Sequence, residues 1–265
     1  MIQCSLGEVE KFKTQRALSG YSFAEISLPL DSYVDATTFT LTTDKEREYS
    51  LVSSEILPVS GTQVIMKAVG ILKDQESFLK VKPASYNEAT IESILNGIGI
   101  KGGSKQKVSL VNLVMTQGQL AILLANATAK TALVDFESKR ILYYEDLYKV
   151  KALEAATKFQ RIVSRVPQAG AYLYGGSNEG VMPEEEAAIV PMGEELNLPG
   201  AIVKHFVENY NNLALLFGAL QSFTWDRDLE LGSTILSPLT HSKCVICAAE
   251  TLWTVEGHTH IYYAI

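Results

Sequence analysis

The sequence predicts a β-rich α+β fold: two small β-barrel-like units with a central helix–hairpin insert. Three observations predict it. Residues 20–82 and the tail from Phe223 both read as mostly β, with runs that alternate with period two and with β-branched and aromatic residues that suit half-buried strands. Between them, Gln117–Ala127 carries apolar residues at helical spacing and runs at once into Thr131–Phe136, a turn at Glu137-Ser138-Lys139-Arg140, and Ile141–Tyr144. A faint repeat relates Leu57–Ile65 to Leu229–Ile235, each an apolar stretch, a Gly-Ser/Thr turn around Gly61 or Gly232, and a second apolar stretch.

In chain order, Thr37–Thr42 and Gln63–Val69 alternate cleanly, and Phe78–Lys82 continues the alternation. A short helix is expected over Glu88–Leu95, with Asn87 able to accept from the free amides of its first turn and Asn96-Gly97 stopping it. Gly97–Ser104 is a turn-rich link. The helix and hairpin of Thr116–Leu147 follow. Residues 149–166 suit a helix by propensity and a strand ending near Ile162-Val163 by β-branching. Residues 174–200 are punctuated by Gly and Pro and charged by Glu184-Glu185-Glu186 and Glu194-Glu195, a length typical of a binding or disordered loop. Pro199 opens an amphipathic helix whose stripe is Ile202, Val203, Phe206, Val207, Tyr210, Leu213 and Phe217. Cys244–Cys247 is an apolar run, and Trp253–Ile265 alternates in parts. The resulting division is residues 1–85, a first β-barrel-like unit; 86–173, the α+β insert; 174–200, an irregular loop; and 201–265, a helix with the second unit.

Composition bounds the function. A 265-residue chain that is 47% hydrophobic buries a sizeable core. Its 20% charged residues fall below the usual quarter, as an obligate subunit interface would produce. The net charge of −7 and pI of about 5.2 disfavour a nucleic-acid binder, which needs cations to displace phosphate counterions. The start, Met1–Glu8, has no signal-peptide character, and the longest apolar run, Leu213–Leu220, is too short to span a bilayer. Three cysteines, Cys4, Cys244 and Cys247, do not make a disulfide framework and fit a reducing cytoplasm.

Motifs of chemistry are weak. Gly97-Ile98-Gly99-Ile100-Lys101-Gly102 matches G-x-G-x-x-G, but it follows a helix rather than a strand, which favours a cap and link. His241, Cys244, Cys247, His258 and His260 are possible metal ligands; on a strand, however, Cys244 and Cys247 would point to opposite faces as buried small hydrophobes. Gly175–Gly180 narrowly misses a nucleophile elbow, since its second glycine is one position late. Lys101, Lys105 and Lys107 form a small basic patch, and Glu184–Glu186 reads as a solvated acidic loop. Asn126-Ala127-Thr128 is a formal glycosylation sequon placed on a predicted helix.

The order of elements resembles the baseplate hub family of contractile-tailed bacteriophages, which includes late control protein D and the N-terminal part of VgrG spikes. The resemblance rests on Gln117–Ala127, Leu133–Phe136 and Ile141–Tyr144, on the repeat around Gly61 and Gly232, and on the closing strands Leu252–Ile265. It implies two β-barrel tube domains per subunit and a homotrimer with pseudo-sixfold symmetry. The implied partners are the hexameric tail tube, a trimeric central spike, other baseplate proteins and the tape measure protein, with DNA only as passing cargo and no membrane. It implies a virion location after synthesis in the host cytoplasm. It carries over no catalytic residue, no cofactor and no metal ligand. The alternatives are another tail tube or tail-tip protein, or a metal-dependent enzyme using the C-terminal His/Cys cluster. Deleting Ser177–Asn197 is expected to leave a folded subunit that no longer enters tails.

Overall fold

A computed structural model describes residues 3–43, 45–60, 63–81, 84–153, 221–225, 228–237 and 241–265. The first part is β1 (Gln3–Cys4), β2 (Lys11–Ala17), β3 (Phe23–Pro29), β4 (Thr38–Thr42), β5 (Glu46–Ser60) and β6 (Gln63–Leu72). The middle is β7 (Ala84–Thr90), α1 (Ile91–Gly97), β8 (Lys107–Leu113), α2 (Gln117–Ala125), β9 (Ala132–Asp135), β10 (Arg140–Tyr143) and α3 (Tyr144–Lys149). The last part is β11 (Gln221–Trp225), β12 (Thr234–Leu236), β13 (Lys243–Thr254) and β14 (Gly257–Ala264).

Both ends of the chain enter one antiparallel sheet, in the order β1-β4-β5-β6-β3-β2-β13-β14-β11, with β12 added on β13. The junction is β2 against β13, in register from Ala17 opposite Ala248 to Lys11 opposite Thr254. Alternation sets the buried face: Ala24, Ile26 and Leu28 of β3 and Phe39 and Leu41 of β4 point inward while their neighbours are half-buried. Two cores result. One is Leu6, Phe12, Ile26, Leu28, Phe39, Leu41, Tyr49 and their neighbours. The other joins α1, α2 and the β9–β10 hairpin to β11–β14. Thus the central helix and hairpin are packed on the C-terminal strands.

The helix and hairpin form where the sequence places them. Thr116 accepts from the Gln119 amide at 3.1 Å and the Gln119 side chain accepts from the Thr116 amide at 2.9 Å, a capping box that fixes the start of α2. Leu120 through Ala125 are all buried, so α2 is a core helix rather than a surface one. A Cβ at Gly118 would collide with the Tyr21 hydroxyl and lie 3.2 Å from the Phe78 carbonyl, so glycine lets α2 approach that wall. Asn126, buried after α2, donates to the Ile122 carbonyl and accepts from the Ala132 amide, turning the chain into β9. Asp135 then accepts from the amides of Glu137 and Ser138, forming the hairpin turn.

Several expectations are corrected. Phe78 does not continue a strand: Lys73–Leu79 is a 3-10 helix with Phe78 buried. Gln75 holds it, accepting from the Ser22 amide at 2.6 Å and donating to the Ser22 hydroxyl at 3.2 Å, a tertiary tie that overrides the local alternation. The helix expected at Glu88–Leu95 begins at Ile91; Glu88 is still in β7, and Thr90, not Asn87, accepts from the first-turn amide of Ser93. That start aligns Ile91, Ile94 and Leu95 on the buried face. The turn to positive φ comes at Gly99 rather than at Asn96-Gly97. Of residues 149–166, Lys149 ends α3 and Leu153 makes a parallel bridge to Ile235; the remainder, from 154, lies outside the described residues. The loop at 174–200 and the helix from Pro199 also lie outside them, as does Gly61. The second copy of the repeat keeps its turn at Gly232 and its second strand, Thr234–Leu236, but not its first strand. Leu229 and Glu230 are not in a strand, because the Leu229 amide bonds the Tyr262 hydroxyl at 2.8 Å and its carbonyl accepts from Arg16.

Candidate functional site

The C-terminal ribbon separates the possible metal ligands. Cys244 and Cys247 both lie in the larger core, facing the carbonyls of Ile235 at 3.8 Å and Tyr263 at 3.2 Å. Both thiols are buried, as the apolar run leads one to expect, and the register shift between Ile246 and Ala248 falls on Cys247. Burial pushes the Cys244 thiol up to about 11 and Cys247 higher still. Thiols so reluctant to ionise are poor nucleophiles and poor metal ligands. His258 and His260 lie farther along, opposite Trp253 and Thr251. At roughly 3.3 Å per residue, Thr251 is about 13 Å along the strand from Cys247. The His pair, with ring centroids 5.3 Å apart, therefore does not converge with the thiols. His241 stands before β13 at φ 54°, its amide bonded to the Ser237 carbonyl. Among the described residues no group of three or more His, Cys, Asp or Glu side chains is placed to hold a metal ion.

The His pair instead borders an open cleft of about 1000 Å³. Gln3–Ser5, Glu8 and Val9 line one wall with Thr40, Thr42 and Glu46; Thr251, Trp253, His258 and His260 line the other. These walls belong to strands separated in the sheet by β6, β3 and β2, so the sheet curls to bring them together. Phe12 and Trp253 stack at 5.7 Å and 11° at its base. Burial raises the Cys4 thiol there, opposed by the amides of Leu6 and Gly7.

Beneath the cleft lies a polar layer. Arg16 donates to Asp228 at 2.5 Å and to the Leu229 carbonyl at 3.3 Å, tying β2 to the approach to β12. Arg47 donates to Glu137 at 3.2 Å, tying β5 to the central hairpin turn. Burial alone would weaken the Arg47 charge, but Glu137 outweighs it and the guanidinium is held above its ordinary range. Burial pushes Tyr49 up to about 12. Thr251 and His260 Nδ1 are 2.9 Å apart. Paired ions and hydrogen-bonded hydroxyls suit a structural lock between chain regions. They offer no activated nucleophile with a base.

The other sequence motifs have structural placements. In the G-x-G-x-x-G segment the Lys101 amide bonds the Lys139 carbonyl at 2.8 Å and its carbonyl accepts from Ile141 at 3.1 Å, so the loop is an anchor for β10. No helix follows it; β8 begins at Lys107. Lys107 pairs with Glu88 at 3.7 Å on an exposed surface. Asn126 of the sequon is buried with its amide group committed, as above. Glu184–Glu186 and Gly175–Gly180 lie outside the described residues. Sequence reasoning missed Ser19, whose amide bonds the Val134 carbonyl and whose hydroxyl accepts from the Val134 amide at 3.0 Å. It missed the capping box too, although Thr116-x-x-Gln119 was readable. The pairs Arg16–Asp228 and Arg47–Glu137 left no local signal.

No protein-family model and no curated protein matches the chain. Solved structures do. The 43 kDa tail protein of prophage MuSo2 from Shewanella oneidensis is similar at a TM-score of 0.63 and 10% identity, covering 100% of this chain and 97% of that one. The tail protein from Neisseria meningitidis MC58 is similar at a TM-score of 0.63 and 9% identity, covering 99% and 95%. The E. coli c3393 protein is described as a component of the type VI secretion system with structural similarity to the T4 bacteriophage tail proteins gp27 and gp5. It is similar at a TM-score of 0.61 and 11% identity, covering 100% and 76%. At such identities the likeness establishes a shared fold along the whole chain. Among the described residues no helix is long and apolar enough to cross a membrane.

Proposed function

We propose that this chain is a structural protein of a phage-type tail and serves as its baseplate hub. The observation that supports it is the fold shared end to end with prophage tail proteins, with nearly the full length of both chains covered. In this reading three copies form a ring. Each contributes two tube-like units, one built on the first core and one on the second, giving six similar positions around the axis. Heterologous contacts close such a ring. One side then matches the hexameric tail tube and the other a trimeric central spike, with further baseplate proteins and the tape measure protein as neighbours. A net charge of −7 would let DNA pass without sticking. The protein acts by shape and assembly rather than catalysis, and resides in the virion tail. The buried thiols and the separated His pair favour this over a metal-dependent enzyme.

Native mass spectrometry of the purified full chain tests the reading. A mass divisible into three-copy rings is expected. A six-copy ring would make it a tube subunit instead, and stoichiometric zinc in the purified protein would favour the enzyme.

A further inference from the structure

Charge is unevenly placed around the cleft. Glu8 and Glu46 line it, both are exposed, and among the described residues neither has an ion pair. No Lys or Arg lines it; its other titratable side chains are Cys4, His258 and His260. At about pH 8, where imidazole is ordinarily neutral, the cleft holds two uncompensated carboxylates above the apolar base of stacked Phe12 and Trp253.

The complementary charge stands elsewhere on the same chain. Among the described residues, Lys11, Lys80, Lys101, Lys105 and Lys151 have neither an ion pair nor a side-chain hydrogen bond. Lys11 is on β2, Lys80 follows the 3-10 helix and Lys151 follows α3; only Lys101 and Lys105 share a loop. That loop is preformed. The Lys101 amide and carbonyl are bonded to the hairpin, the Glu92 amide bonds the Ser104 carbonyl at 2.9 Å, and the Ile91 amide bonds the Gln106 carbonyl at 3.0 Å. Gly102 and Gly103 take φ of 112° and 109°, and a Cβ at Gly103 would lie 3.0 Å from Glu92 Cα. The loop therefore sits close against the start of α1 with both lysines exposed, and little ordering is left to be done on binding. Neither lysine lines the cleft of its own chain.

We propose that the cleft of one copy receives the Lys101–Lys105 loop of the next. The lysine amines meet Glu8 and Glu46, and their stems lie on the Phe12–Trp253 base. Cleft and loop are different surfaces, so the contact is heterologous: each pair keeps one unused cleft and one unused loop, and addition continues until a ring closes. This specifies the subunit contact of the ring proposed above and rests on that reading.

Sedimentation velocity at about pH 8 tests it on four full-length chains: wild type, Glu8→Lys/Glu46→Lys, Lys101→Glu/Lys105→Glu, and the chain with all four changes. All four positions are exposed, so each chain should keep the wild-type circular dichroism spectrum. Wild type is expected to associate. Each two-site variant should need roughly tenfold more protein or more, because like charges then meet, and the four-site variant should recover, because opposite charges meet again. Net charge alone predicts otherwise: Glu8→Lys/Glu46→Lys moves it from −7 to −3, which would ease association. Equal association of all four chains would overturn the contact and leave the ring reading in place. Assembly that needs these charges but closes at a number other than three would uphold the contact and overturn the ring. A single chain at every concentration would overturn both. In the assembled wild type, a zero-length carbodiimide cross-link from Glu8 or Glu46 to Lys101 or Lys105 is expected between chains, read from mixed heavy- and light-isotope protein; its absence would also overturn the contact.

Discussion

Removing the guanidinium of Arg16 should cost the fold about 3 kcal/mol, because it strands Asp228. Arg16 is 7% exposed and the Asp228 side chain 16%, so neither ion regains full hydration when its partner is lost. Breaking a buried pair from one side typically costs ~3–5 kcal/mol. The partial exposure of Asp228 places the expected loss at the low end, and the lost bond to the Leu229 carbonyl, worth about 1 kcal/mol, keeps it there. Arg16→Met is the informative change, since it retains most of the aliphatic packing. Urea unfolding followed by the fluorescence of Trp225 and Trp253 provides the assay. Adding Asp228→Leu should recover most of the loss, since an apolar pair replaces the ionic one without leaving a buried charge. The reasoning is refuted if Arg16→Met costs less than about 0.5 kcal/mol, or if the two substitutions simply add.

Other outcomes follow from the same packing. Gly70→Ala would put a Cβ 2.5 Å from Phe39 Cε1 and 3.0 Å from Tyr49 Cβ, two stacked buried rings, and should destabilise by about 1–3 kcal/mol in the same assay. Thr116→Ala should cost about 1 kcal/mol through loss of the α2 cap, while Thr116→Ser should cost much less. The buried thiols give a pH signature. Their folded pKa values lie above the unfolded value of 9.0, so the folded state holds their protons more tightly. Stability from Cys244 is therefore full below pH 9.0 and is lost as pH rises through about 11. Cys244→Ala should flatten part of that alkaline slope in denaturation curves; an unchanged slope would count against the thiol as its source.

What was legible in the sequence was local. α2 and the β9–β10 hairpin were readable because apolar spacing, the cap and the turn residues all lie within a few positions of the elements they define. The burial of Cys244 and Cys247 was readable from their apolar run. By contrast, α3 is only six residues long and follows β10 without a break, so periodicity could not separate the two. The 3-10 helix at Lys73–Leu79 is fixed by Gln75 reaching Ser22, across 53 positions. The pairing of β2 with β13, and the Arg16–Asp228 pair 212 positions apart, arise only when the sheet forms. The cleft shares that origin, since its walls come from distant strands. The chemistry-bearing residues were visible one by one; that His258 and His260 border the cleft while Cys244 and Cys247 enter the core depends on the β13–β14 register.

The central claim is assembly into a hub ring, and electron cryomicroscopy of the purified particle tests it most directly. The account predicts a ring of three subunits with two similar β-rich lobes each, six lobes around a central hole. A true sixfold ring with one lobe per subunit, or a single compact subunit at every concentration examined, would contradict it.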